Sequence, residues 1–212
     1  SRKAKKYDKN SVYLDIRTVL QLPELPVGCE ATSLTMALNY YGFNAEKTDI
    51  AKNYLPQSTF YAEKDGKVYI NNYNSVFYGD PFGKGYGCFS ECIVKTANDY
   101  ISANGGGYTA KNITGSSVSE LLTYVANGTP VICWGTMDMV EPSYTQKLYD
   151  IKTGEDITWI SKEHCFVLVG FDLDAHTITI NDPLNGIVTH DLNLFATRYK
   201  QLRENAVVLV KD

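Results

Sequence analysis

The order of the residues predicts an α+β fold, with N-terminal helices packed on one side of a C-terminal antiparallel β-sheet. Up to Pro130 four stretches carry apolar residues at helical spacing or helix start and stop signals. Beyond it the chain breaks into short β-branched and aromatic runs: VICW, HCFVLVGF, TITIND, GIVTHDL and NAVVLV. The chain has 212 residues, 44% of them hydrophobic and 21% charged, enough apolar material for a core without disulfide staples.

Residues 12–20 read as an extended entry segment. QLPELPVGCE follows, and its two prolines exclude a helix. A helix then starts at about Gly28–Cys29, with Ala31, Leu34, Leu38 and Tyr41 as its buried stripe and Gly42 as its stop. Further helices are expected over Lys47–Tyr54, ended by Pro56, over Ser90–Ala103, ended by a Gly run, and over Ser116–Asn127, ended by Gly128. Residues 57–90 show little periodicity and read as one long connection, a type that tends to serve function. Together with 135–163 it is expected to shape a cleft.

A net charge of −4 excludes a nucleic-acid binder of the usual basic kind. The one basic cluster, Arg2, Lys3, Lys5, Lys6 and Lys9, reads as a solvated tail over residues 1–11, ahead of a single domain over 12–212. No apolar stretch approaches the roughly 18–20 residues of a membrane span. The three His and five Cys fit no metal-ligand spacing, so no metal or other cofactor is expected.

The chemistry starts at Cys29, where proline-rich coil turns into helix. A helix N-terminus favours a thiolate through its dipole and unpaired N–H groups. A thiol also needs a base. His176 lies in the polar turn DLDAHT and His190 in VTHD, on a candidate edge strand. His164 opens the strand HCFVLVGF, where a polar residue at a strand mouth can face a cleft. HCFVLVGF and TITIND read as a β-hairpin. If Phe171 pairs near Thr177, His164 and Asp182 share a face in an even register, and the carboxylate can orient the imidazole. Gln21, eight residues before Cys29, can offer an amide to an oxyanion.

The stretch QLPELPVGCEATSLTMALNYYG, with GYGCFSECI, PVICW, EHCFVLVGFD and INDPLNG in the same order, resembles the bacteriocin-processing (double-glycine) peptidase-like proteins. These form cysteine-peptidase family thirty-nine, in the papain-like superfamily. The resemblance spans about residues 16–210. It implies a papain-like fold with Cys29 as nucleophile, His164 as general base, Asp182 as the orienting acid and Gln21 in the oxyanion hole. Glu30 replaces the Gly common after the Cys in transporter-fused members, which points to the stand-alone branch, bacterial and often exported or surface-attached. The expected activity is hydrolysis of a peptide or protein substrate through an acyl-enzyme. The same machinery with an amine as acceptor would be an acyl transferase, and the fold without turnover a surface binding module. A thiolate–imidazolium pair would keep Cys29 reactive well below the free-thiol pKa of about 8.5. Cys133 and Cys165 are expected to be buried and slow, with Cys88 the one rival.

Overall fold

A computed structural model of the chain describes residues 9–212. Arg2, Lys3, Lys5 and Lys6 of the expected basic tail lie outside the described residues. The first described strand, Ser11–Tyr13, pairs with Gly170–Asp172.

The main sheet has seven strands, and their pairings are all antiparallel. Gly186–Asp191 lies at one edge, followed by Thr177–Asp182, Glu163–Asp172, Val131–Thr136, Ala206–Lys211 and Tyr108–Asn112. Ser11–Tyr13 pairs with the free end of Glu163–Asp172. The five expected C-terminal runs are all present as strands. Tyr108–Asn112 is a sixth, supplied by the first half of the chain.

The α+β class is as expected, but helices cover both faces of the sheet rather than one. Strand alternation explains why. Ile132, Trp134, Val207 and Leu209 pack with the helices Cys29–Tyr40 and Ser90–Ala103. Their neighbours Val131, Cys133, Ala206 and Val208 pack on the opposite face, with Leu121, Leu122 and Val125 of Val118–Ala126 and Phe195 and Tyr199 of Leu192–Gln201. A sheet apolar on both faces needs two covers.

Helix boundaries follow local chemistry. Ser117 and Glu120 form a reciprocal capping box on Val118–Ala126. Asp191 caps the unforeseen helix Leu192–Gln201 by accepting from the Leu194 N–H. The expected helix over 47–54 is a single α-turn, Lys47–Asp49, that continues as a π-helix over Ile50–Tyr54. Residues 57–90 are not the structureless connection expected. They hold five short strands, among them the hairpin Tyr61–Lys64 with Lys67–Ile70. Its turn is Asp65-Gly66, both at positive φ, a two-residue signal that favours a tight hairpin.

The strand Glu163–Asp172 sits at the centre, buried over all but its last residue. It carries a bulge. Phe171 pairs with Ile178 and Gly170 with Thr179, but Leu168 pairs with Ile180 and Val167 with Asn181, so Val169 is an extra residue. Without it, His164 would share a face with Asn181. The bulge restores the even register that puts His164 and Asp182 together.

Gly170, next to the bulge, has no room for a side chain, since a Cβ there would lie 2.6 Å from the Val12 carbonyl oxygen. Gly170→Ala is therefore predicted to displace Ser11–Tyr13 and cost about 1–3 kcal/mol. Urea denaturation followed by circular dichroism measures this; a midpoint equal to wild type would contradict the packing described.

Candidate active site

Cys29 is the first residue of the helix Cys29–Tyr40, with Gly28 at the N-cap. A Cβ on Gly28 would lie 2.7 Å from Leu25 Cβ, so only glycine lets the QLPELP loop fold this closely onto the helix start. Residues 29–38 of the helix are all buried, polar ones included. Ser33 donates to the Cys165 carbonyl at 3.0 Å and ties the helix to the central strand.

The entry loop is tied to the aspartate strand. The Asn181 amide donates to the Ile16 carbonyl at 2.9 Å, Thr18 Oγ1 donates to Asn181 Oδ1 at 3.0 Å, and the Gln21 N–H donates to the Pro183 carbonyl at 2.8 Å. Gln21, Cys29, His164 and Leu184 thereby come to line one cleft of about 210 Å³. Gly85, Tyr86, Met137, Trp159, Lys162 and Glu163 also line it, with Pro26 and Val27 of the proline loop. The two expected cleft segments, 57–90 and 135–163, both contribute. A larger depression of about 470 Å³ beside the helix Val118–Ala126 is lined by Ser116, Glu120, Thr123, Tyr124 and Asn127, with no nucleophile–base pair.

His164 Nε2 meets Asp182 Oδ1 at 2.6 Å, with both residues 2% exposed. That bond leaves Nδ1 as the ring nitrogen for other work. Asp182 Oδ1 also accepts from the Leu184 N–H at 2.7 Å, and Oδ2 from the Asn185 amide at 3.3 Å. Burial pushes the Asp182 carboxyl up, but the bonds from His164, Leu184 and Asn185 outweigh it and hold the group below its ordinary value.

Gln21 is differently placed from the expectation. Its Nε2 donates to the Leu25 and Pro26 carbonyls at 3.1 and 3.0 Å, and its buried Oε1 has no partner. The amide braces the proline loop and would have to leave those carbonyls to reach an oxyanion. The helix N-terminus offers backbone N–H groups that no residue of the helix itself can pair. His176 stands in a turn at positive φ, and His190 lies on the edge strand, away from the cleft lining.

Cys29 itself departs from the expected easily ionised thiolate. It is 6% exposed, and burial, with the neighbouring Glu30 and Glu163 adding to it, pushes its thiol well above the ordinary value. A helix N-terminus is worth at most about 2 kcal/mol, or ~1.5 pKa units. Full burial shifts a group by up to about 3–5 units, so burial wins. Cys88, Cys133 and Cys165 are also buried, free and pushed up, so Cys88 gains nothing from its position before the helix Ser90–Ala103.

Neither acid beside Cys29 is given a role in the chemistry by the sequence, where Glu30 serves only as a mark of the family branch. Glu30 falls on the stripe of Leu34 and Leu38, a buried position that an unpaired carboxylate should avoid. Glu163 opens the buried central strand. Those placements are the signals that could have found them.

The Asp182 carboxylate contributes stability above its unfolded value of about 3.9, and this is lost as pH falls below that value through the lower folded one. Thermal melts below about pH 4 should therefore fall less steeply with acid for Asp182→Asn than for wild type. Parallel acid limbs would remove Asp182 from the charged pair.

The sequence matches the family described as Peptidase_C39 like over residues 13–207. The uncharacterized protein YvpB of Bacillus subtilis is 28% identical over 195 residues, covering 91% of this chain and 72% of its own length. A crystal structure from Bacillus anthracis, described as a C39-like peptidase, superposes with a TM-score of 0.82 at 28% identity, covering 95% of this chain and 98% of that one. Xylellain, a cysteine protease from Xylella fastidiosa, shares the fold at a TM-score of 0.50 and 16% identity, covering 96% and 87%. With its fold, its cleft and its order of motifs, the chain belongs to the Peptidase_C39 like family.

Proposed function

We propose that this protein is a cysteine peptidase in which Cys29 attacks a peptide or protein carbonyl, His164 moves the proton and Asp182 orients His164. The observation that carries this reading is the buried 2.6 Å His164–Asp182 bond, which opens on the same cleft as Cys29. A lone structural histidine has no need of a dedicated buried carboxylate and a nucleophile across a cleft.

The steps follow from the donor set. The Cys29 Sγ–H proton passes to His164 Nδ1 as Sγ bonds to the carbonyl carbon. Asp182, already ionised, stabilises the imidazolium. Helix N-terminal N–H groups stabilise the oxyanion. The imidazolium returns the proton to the leaving amine, a thioester remains on Cys29, and water activated by His164 hydrolyses it. Because the thiol starts neutral, proton transfer accompanies attack instead of preceding it. Tyr86 and Trp159, whose ring centroids lie 5.3 Å apart, form an aromatic wall for an extended chain. The family resemblance supports an exported or surface setting for such a substrate.

A peptidyl vinyl sulfone tests the pairing. Wild type should be labelled on Cys29, and His164→Ala should lose labelling. Asp182→Ala should slow it by about tenfold or more, since an orienting residue acts through the base. Tyr86→Ala should weaken labelling by a peptide probe more than alkylation by a small reagent. Labelling of another cysteine, or equal labelling with and without His164, would contradict the assignment.

A further inference from the structure

Behind Cys29 lie two acids that the proposed reaction does not use. Glu30 is fully buried and Glu163 is 7% exposed. One carboxylate oxygen of each lies within 4.8 Å of the other and of Cys29 Sγ. Neither joins any salt bridge among the described residues. Glu30 Oε1 accepts from the Cys88 N–H at 3.1 Å, but Glu30 Oε2 and Glu163 Oε1 are buried without a conventional partner. The titratable groups facing the pair are Cys29 from its helix, Cys88 from the segment before Ser90–Ala103, and Cys165 from the central strand. Lys162 lines the cleft outside.

The fold makes room for this contact. Gly87 stands at φ +146, and a Cβ there would lie 2.4 Å from Glu30 Oε1 and 3.0 Å from Glu163 Oε2. Two buried carboxylates at this range, with no basic side chain paired to either among the described residues, resist being ionised together. One proton shared between them leaves one negative charge.

We propose that Glu30 and Glu163 share one proton and keep a single negative charge against Cys29, which holds the resting nucleophile as a neutral thiol. The Cys29 S–H can donate to that charge. A neutral buried thiol is a poor target for oxidants and stray electrophiles, because the thiolate is the reactive form. Reactivity is then released when substrate fills the cleft and His164 takes the proton. This rests on Cys29 being the working nucleophile, but its test needs no turnover.

Amide substitutions separate charge from shape. In Glu30→Gln or Glu163→Gln an amide donates to the remaining carboxylate, so the negative charge stays while the shared proton goes. In Glu30→Gln/Glu163→Gln the charge goes too. Iodoacetamide alkylation of Cys29, read across pH by peptide mapping, should give single variants with midpoints within about half a unit of wild type. The double variant should shift down by about one unit or more, raising the rate at neutral pH by about tenfold. An unshifted profile in a folded double variant would overturn the proposal. Infrared spectroscopy of wild type should show one carboxylic-acid C=O band at neutral pH that either single substitution removes. Absence of that band would overturn the proposal whether or not the double variant folds. His164→Ala, run alongside, reads the peptidase assignment separately: no effect on Cys29 would count against that assignment and not against the acid pair.

Discussion

The placement of the site depends on one strand. Glu163–Asp172 pairs with Thr177–Asp182 on one side and with Val131–Thr136 and Ser11–Tyr13 on the other, and the cysteine helix is bonded to it through Ser33. A strand buried on both faces and hydrogen-bonded on both edges cannot slide, because a shift of one residue would turn every side chain to the wrong face. Its first residues therefore have fixed positions, and those residues are Glu163 and His164. The Val169 bulge is the one departure from regularity, and it decides which acid His164 meets.

Charge around the cleft is arranged in two opposed ways. On the far side of His164, three donors hold the Asp182 carboxyl below its ordinary value. On the far side of Cys29, burial and two acids oppose loss of the thiol proton. In the reaction proposed above, the resting protein keeps the proton on sulfur until a substrate carbonyl is present to accept the electrons. Gln21 belongs to the same economy of structure: its amide holds the proline loop that delivers the helix N-terminus to the cleft.

Much of this was legible from residues alone, for reasons that can be named. Cys29 stood out because proline-rich coil gives way to helix at that point. His164 and Asp182 stood out because two alternating runs flank the short turn DLDAH. Phe171 pairs with Ile178, next to Thr177, and the inserted Val169 restores the even register, which no pattern in an apolar run reveals. The helix Leu192–Gln201 was missed although Asp191 is a sound cap and Leu192, Phe195 and Tyr199 recur at helical spacing. The hairpin at Asp65-Gly66 was passed over within a polar segment. In the sequence Glu30 marks only a branch of the family, although it falls in line with Leu34 and Leu38. Only the packing of Gly87, Trp159 and the central strand around it buries the group.

The measurement that bears most directly on the account is turnover of an unbiased peptide library, followed by mass spectrometry. Wild type should release defined fragments, with rapid acid quenching capturing an acyl adduct on the tryptic peptide that contains Cys29. Cys29→Ala should release none while keeping the wild-type melting profile. Equal fragmentation by wild type and Cys29→Ala, or an acyl group carried on any other residue, would contradict the role assigned to Cys29.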